Sequence, residues 1–234
     1  MAETKTRGAW LYRRWAGLEL GRPDGGARGI GRAHFHDEVQ IAVVTRGCRS
    51  FEVAGAPVDV PAGAMLVVPA RVAHRDRGGR AGETGDWAGF NLYLPTGAIG
   101  AEPEDVLVAP LPDGLIGCAG GPGRAIDASG LLAHAMANGR IGLRQPACGA
   151  PDSGTEAARS AAWHIRRTKR ATGITPYAAE VTARANRARR MLCAGHAPAD
   201  VAAALGFADQ AHLTRQFRLC FGTTPAAYRR AMVA

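Results

Sequence analysis

The stretch GHAPADVAAALGFADQAHLTRQFR, residues 195–218, decides how this chain is read, together with FGTTPAAYRR at 221–230. Its spacing predicts a short helix with Val201 and Leu205 on one side, a tight turn through Gly206 and Phe207, and a second helix burying Leu213 and Phe217, four residues apart. Gln210, Ala211, Thr214 and Arg215 then lie on the opposite side of that second helix. A helix held in this way can enter a DNA major groove, where glutamine pairs with adenine, arginine with guanine, and small side chains meet a thymine methyl.

Working outward, five helices are expected over 157–171, 176–194, 198–205, 209–221 and 225–232. Glycines at 173, 195, 206 and 222 fall where these helices should stop, and prolines at 176, 198 and 225 near where they should start. The charge follows the same division. From Arg159 onward there are thirteen Lys/Arg against three acids (Glu180, Asp200, Asp209), whereas the rest of the chain is nearly balanced, so the net +9 is C-terminal in origin. Such an asymmetry suits a polyanion partner, because each cation set near a phosphate releases condensed counterions.

The first part of the chain reads as β. Val39–Val44, Arg49–Val53, Met65–Val68 and Trp87–Leu94 are short apolar or alternating runs separated by Gly and Pro turns, as in a barrel or sandwich. Trp87, Phe90, Leu92 and Tyr93 are candidates to line its interior. A short helix is expected from Ala128 to Asn138, and the Gly/Pro-rich stretch 140–154 reads as linker. The five cysteines are scattered without CxxC spacing, which favours neither a disulfide framework nor a zinc site. With no apolar run long enough to span a bilayer and no secretory signal, the expectation is a cytoplasmic protein without a membrane partner.

The segment 206–217 resembles the second helix-turn-helix of the AraC/XylS family of bacterial transcription regulators, through the signature GFxDQxHLxRxF and the trailing GTTPxxYR. The resemblance implies that Gln210, Ala211, Thr214 and Arg215 face DNA while Val201, Leu205, Phe207, Leu213 and Phe217 form the core. It further implies that 176–194, with Arg184, Arg187, Arg189 and Arg190, is the connector between two reading units. Upstream, Trp163 to Arg167 resembles the first recognition helix, placing Trp163, Arg166 and Arg167 toward DNA. Here the sequence departs from the family: no phenylalanine matches Phe217, the segment to Gly173 is one residue short, and the unit's first two helices are replaced by the unpatterned stretch 139–162.

The pattern His34-Phe35-His36 with Asp37, Glu38 and Gln40, then Gly47, Pro61-Ala62-Gly63, Pro69 and His74, resembles the cupin-type ligand-binding domain that precedes the DNA-binding part in many such regulators. Enzymatic cupins use two such histidines, a carboxylate and a distant histidine to hold a metal. Position 40 is glutamine, so the expectation is no metal and no cofactor. His34, His36 and His74 are expected either to line the pocket mouth as polar groups or to hydrogen-bond a small-molecule effector. The whole reads as α+β: a cupin-like β-barrel over 8–95, a linker with a short helix over 96–156, and an all-α helix-turn-helix DNA-binding domain over 157–234. The function expected is effector-responsive, sequence-specific transcription regulation, with double-stranded DNA and an effector as partners, a homodimer as a possible assembly, and no enzymatic activity. A metal-dependent cupin enzyme and a DNA-binding-impaired dimerisation module are the alternatives.

Overall fold

The computed structural model describes residues 9–15, 18–24, 29–79, 87–97, 102–113, 127–143 and 161–233. Ten strands come first in space: β1 (Trp10–Trp15), β2 (Leu18–Pro23), β3 (Val39–Arg46), β4 (Cys48–Val53), β5 (Ala56–Pro61), β6 (Ala64–Val68), β7 (His74–Gly79), β8 (Ala88–Leu94), β9 (Val106–Pro110) and β10 (Arg140–Leu143). They form a seven-stranded antiparallel sheet, ordered β1-β2-β8-β3-β6-β9-β10, and a three-stranded sheet, β5-β4-β7. Between β9 and β10 lies helix α1 (Ala128–Asn138), capped by Asp127, whose carboxylate accepts from the Gly130 amide at 2.9 Å.

The alternation along β3 explains the layering. Val39, Ile41 and Val43 point to the face covered by α1, where Leu131, Leu132 and Ala135 complete a cluster with Leu92, Leu94 and Leu107. Ala42 and Val44 point the other way, into an aliphatic core with Phe51, Val53, Val58, Val60, Leu66, Val68 and Val72 that glues the two sheets together. The space between the sheets is thus largely filled by side chains. The residues expected together on the strand Trp87–Leu94 divide accordingly: Phe90 and Leu92 of β8 join the α1 face, while Tyr93 of β8 and Trp87 just before it join a different cluster, shared with the C-terminal helices.

The sheet does not stop at Pro95. β9 and β10 lie in the stretch read from sequence as linker, and β10 pairs antiparallel with β9. Two further strands, β1 and β2, precede the first predicted one and pair with each other over six residues. Beyond the sheets stand α2 (Ala161–Thr172), α3 (Pro176–Cys193), α4 (Pro198–Ala204), α5 (Gln210–Phe221) and α6 (Pro225–Val233). The helix expected from 157 is described from Ala161 onward; the linker segment 144–154 and residues 157–160 fall outside the described residues.

Candidate nucleic-acid interface and histidine cluster

Helix α5 is fixed from three directions. Leu213, Phe217, Cys220 and Phe221 are buried along one stripe, packed with Val201, Ala202 and Phe207 of the preceding hairpin and with Tyr228 and Met232 of α6. Asp209 caps its first turn by accepting from the His212 amide, and Gly222 ends it in the left-handed region at φ 66°. Arg184 of the connector α3 closes the turn of the hairpin: its guanidinium donates to the Gly206 carbonyl at 3.1 Å and lies 5.2 Å over the Phe207 ring. Opposite the stripe, Gln210, Ala211 and Arg215 are exposed and Thr214 is half-buried, its hydroxyl donating back to the Gln210 carbonyl.

Helix α2 is held quite differently. Arg166 and Arg167 are exposed and Trp163 is half-buried, with the Arg167 guanidinium 5.1 Å from the Trp163 ring. None of the described side chains of α2, residues 163–170 and 172, is buried, and Ile165 is 46% exposed. Its fixed point is the C-terminal end, where Gly173 at φ 74° lies against the backbone of the Ala54-Gly55 turn and Ile174 is buried with Ala73 and Ala178.

The C-terminal positive charge is only partly available to a polyanion. Besides Arg184, Arg190 pairs with Asp37, Arg229 donates to the Gly195 carbonyl at 2.8 Å, and Arg189 is buried at 4% exposure. Arg189 donates to Glu19 at 2.8 Å, to Glu38 at 3.0 Å and to the Tyr228 hydroxyl at 3.2 Å, between the rings of Tyr93 and Phe221. This one side chain ties the connector helix to two strand-side carboxylates. Around it the seam is continuous: the Trp10 amide donates to the Gly222 carbonyl at 3.0 Å, the Tyr12 hydroxyl to the Phe221 carbonyl at 2.9 Å, and Asn186 to the Phe35 carbonyl at 2.9 Å. Arg32 donates to Gln216 of α5 at 2.9 Å. No local pattern marks this seam, because its partners are more than a hundred residues apart.

The three histidines do come together. A two-way backbone bridge joins His34 to His74, and the rings of His34, His36 and His74 stand 4.7–5.1 Å apart. They are not at an open mouth, however. All three are buried, and the Phe221 ring from the last turn of α5 covers them, 5.7 Å from His36 and 6.4 Å from His34. Burial pushes the imidazoles down, His34 to about 3 and His74 to about 4, with His36 also well below its ordinary range. They are neutral at physiological pH, and a neutral imidazole has one N–H. His34 Nδ1 lies 2.8 Å from the Arg32 carbonyl, which assigns its proton to Nδ1 and a lone pair to Nε2, and His74 Nδ1 lies 3.0 Å from the Val72 carbonyl. His74 Nε2 faces the Gln40 side-chain oxygen at 3.1 Å, so both nitrogens of this ring meet acceptors and its one N–H serves one of them, while the Nε2 atoms of His34 and His36 have no hydrogen-bond partner.

A second buried polar group went unforeseen. Arg49 is fully buried, bonded to Asp76 at 2.8 Å and Asn91 at 2.8 Å, with the rings of Trp10, Phe51 and Trp87 at 4.4–5.1 Å. In sequence it reads as one position of an alternating strand. A lone arginine at an inward position of that alternation was the available signal.

Comparison with known proteins follows the same division of the chain. Residues 18–135 match the family described as AraC-like ligand binding domain, and residues 155–231 match a helix-turn-helix domain family. No curated protein matches in sequence. Among solved structures, the chain is similar to ToxT from Vibrio cholerae O395 bound to (E)-4-(8-methylnaphthalen-1-yl)but-3-enoic acid, at 8% identity and TM-score 0.51, covering 96% of this chain and 99% of that one. Unsaturated fatty acid bound ToxT from strain SCE256 is similar at 11% identity and TM-score 0.50, over 98% and 97%. At these identities the likeness is one of fold.

Proposed function

The chain belongs to the AraC-type transcription regulators, DNA-binding proteins with an N-terminal ligand-binding domain, and from that premise we propose which residues read DNA and which receive the effector. Helix α5 enters a major groove and reads bases with Gln210, Ala211, Thr214 and Arg215. Helix α2 adds Trp163, Arg166 and Arg167 to the same DNA surface. His34, His36 and His74 form the effector seat, in a ligand-sensing domain that begins near residue 8 and is joined through 96–156 to the helical part from 157.

The observation that carries this reading is the α5 geometry: a fully buried apolar stripe, a cap at each end, and a polar face left exposed. Such rigidity is what base discrimination needs, since each good bidentate contact discriminates by about 1–3 kcal/mol only when held in register. Arg184 and Arg189 serve the protein's own interior or seam and the exposed Arg190 pairs with Asp37, which leaves the exposed Arg187 as the connector arginine best placed for a phosphate. No described helix is long and apolar enough to cross a membrane. The protein acts in the cytoplasm without enzymatic turnover, as a monomer or a homodimer. Selection of bound duplexes from a random library tests the proposal: a recovered motif whose bases change with Arg215→Ala supports it, and recovery of unselected sequence defeats it.

A further inference from the structure

Arg32 differs from the other arginines of the seam in its partner. Arg189 reaches Glu19 and Glu38, and Arg190 pairs with Asp37. Arg32 is half-buried, and its one hydrogen-bond partner among the described residues is neutral: Nη1 donates to the Gln216 side-chain oxygen of α5 at 2.9 Å. No described carboxylate pairs with it. A guanidinium keeps its charge whatever surrounds it and presents a fork of N–H donors, of which Gln216 takes one. A cation drawn partly out of water without a countercharge is costly, so the position suits an anion.

Its place in the fold says which anion. Gln216 follows Arg215 directly and lies on the flank of α5, between the buried stripe of Leu213, Phe217 and Cys220 and the exposed Ala211 and Arg215. A helix seated in a major groove has a sugar-phosphate wall along each flank, and contacts to those walls fix its register. The approach is open, since Gly31 is exposed and an added Cβ there would meet nothing within 4 Å. The segment is also anchored on both sides: Ile30 is buried in the core that holds Leu213 and Phe217, and His34 is bridged to His74.

We infer that Arg32, although it lies in the ligand-binding part of the chain, contacts a backbone phosphate of the bound duplex, held ready by Gln216 beside the reading helix. The inference rests on α5 as the base reader and adds a DNA contact from outside the helical domain. The Arg32 carbonyl accepts the His34 Nδ1–H at 2.8 Å, which sets the contact one hydrogen bond from the proposed effector seat and gives a displaced His34 a direct path to the cation.

Duplex affinity of the full chain over a salt series tests the contact, on a duplex recovered by selection and on an unrelated one. Arg32→Gln is expected to lower the salt slope by about 1 and to weaken both duplexes alike, by about five- to tenfold at low salt. Arg32→Lys keeps the charge and is expected to restore the slope. Arg140→Gln removes an exposed cation on β10, at the opposite edge of the sheet from β1, and is expected to leave the slope unchanged. Urea midpoints show whether each variant folds; should Arg32→Gln fail to do so, Arg32→Met, which keeps the apolar stem, takes its place. A drop in affinity at constant slope is what a purely structural tether to Gln216 gives, and it overturns the inference. So does an equal fall in slope for Arg140→Gln, which is an effect of net charge alone. A wild type that prefers no duplex defeats the α5 reading itself, whereas an intact preference with an unchanged slope in the Arg32 variant defeats only the Arg32 contact.

Discussion

Helices α5 and α2 carry comparable outward residues, yet among the described side chains only those of α5 are clamped from behind. Both present arginines on an exposed face, and both end in a left-handed glycine that touches the β-strand part of the molecule: Gly222 against Trp10, Gly173 against the Ala54-Gly55 turn. The difference lies on the hidden side. α5 sets four side chains into a shared core, whereas no described side chain of α2 is buried. Recognition residues on a helix do not by themselves make a base reader; the clamp behind them does, because a helix that is free to shift cannot hold a bidentate pair in register.

The strongest way to break this contrast is to remove the clamp. Phe217→Ala takes a wholly buried ring out of the α5 stripe, and a loss of about 3–5 kcal/mol is expected from the missing apolar contacts and the cavity left behind. Ile165→Ala on α2 is expected to stay within about 0.5 kcal/mol, since that side chain already faces water. Urea unfolding of the two variants measures both, and equal losses would show that α2 has a buried partner after all.

The caps separate next. An alanine Cβ at Gly222 would lie 2.3 Å from the Trp10 ring, while at Gly173 it would lie 3.1 Å from the Ala54 backbone. Both substitutions carry the left-handed penalty of about 1–2 kcal/mol, and Gly222→Ala adds overpacking of about 1–3 kcal/mol against Trp10. Gly222→Ala is therefore expected to lower the melting temperature more, and to raise exchange of the Trp10 amide; Gly173→Ala is expected to do neither to the same extent.

How much of this contrast was legible beforehand depends on the range of the signal. Leu213, Phe217 and the glycine and proline punctuation are local, so the α5 unit and its exposed face were readable from twenty-odd neighbouring residues. The absence of a phenylalanine matching Phe217 in the first unit likewise anticipated an unclamped α2. The seam was illegible: Arg189 looked like one more basic residue of a DNA-binding helix, and nothing near it in sequence marks Glu19 or Glu38 as its partners. β1, β2, β9 and β10 were missed for a related reason. Their sequences, such as RIGL at 140–143, are short and weakly alternating, and they become strands because neighbours in the sheet supply the hydrogen bonds. The histidine trio was found by motif, but its burial was not, since its cover is Phe221 from the far end of the chain.

Acid sharpens the difference between the two helices, because only α5 rests on the histidines. The imidazoles are neutral in the fold, with His34 near 3 and His74 near 4, and regain their ordinary value near 6.5 when unfolded. Above that value neither state is protonated and the histidines contribute no pH dependence. Below it the unfolded chain takes up protons that the folded one refuses, so stability falls until the folded values are reached. At pH 5 the loss is about 2 kcal/mol for each such imidazole. Urea midpoints at pH 7 and pH 5 measure it, and His34→Asn is expected to reduce the drop; a midpoint that does not move between these pH values contradicts the burial of the trio.

The smallest effects are the most diagnostic of how each helix meets DNA. Arg215→Ala on the clamped helix is expected to cost about 1–3 kcal/mol on the preferred duplex and to relax specificity at one base position, because a fixed guanidinium can be aimed at one guanine edge. Arg166→Ala on α2 is expected to weaken all duplexes alike and to lower the salt slope by about 1, the behaviour of a phosphate contact. Competition binding on matched and mismatched duplexes over a salt series reads both quantities at once. If Arg166→Ala instead changes which base is preferred, then α2 is held rigidly when DNA is bound, and the duplex itself must supply the clamp that the free chain lacks.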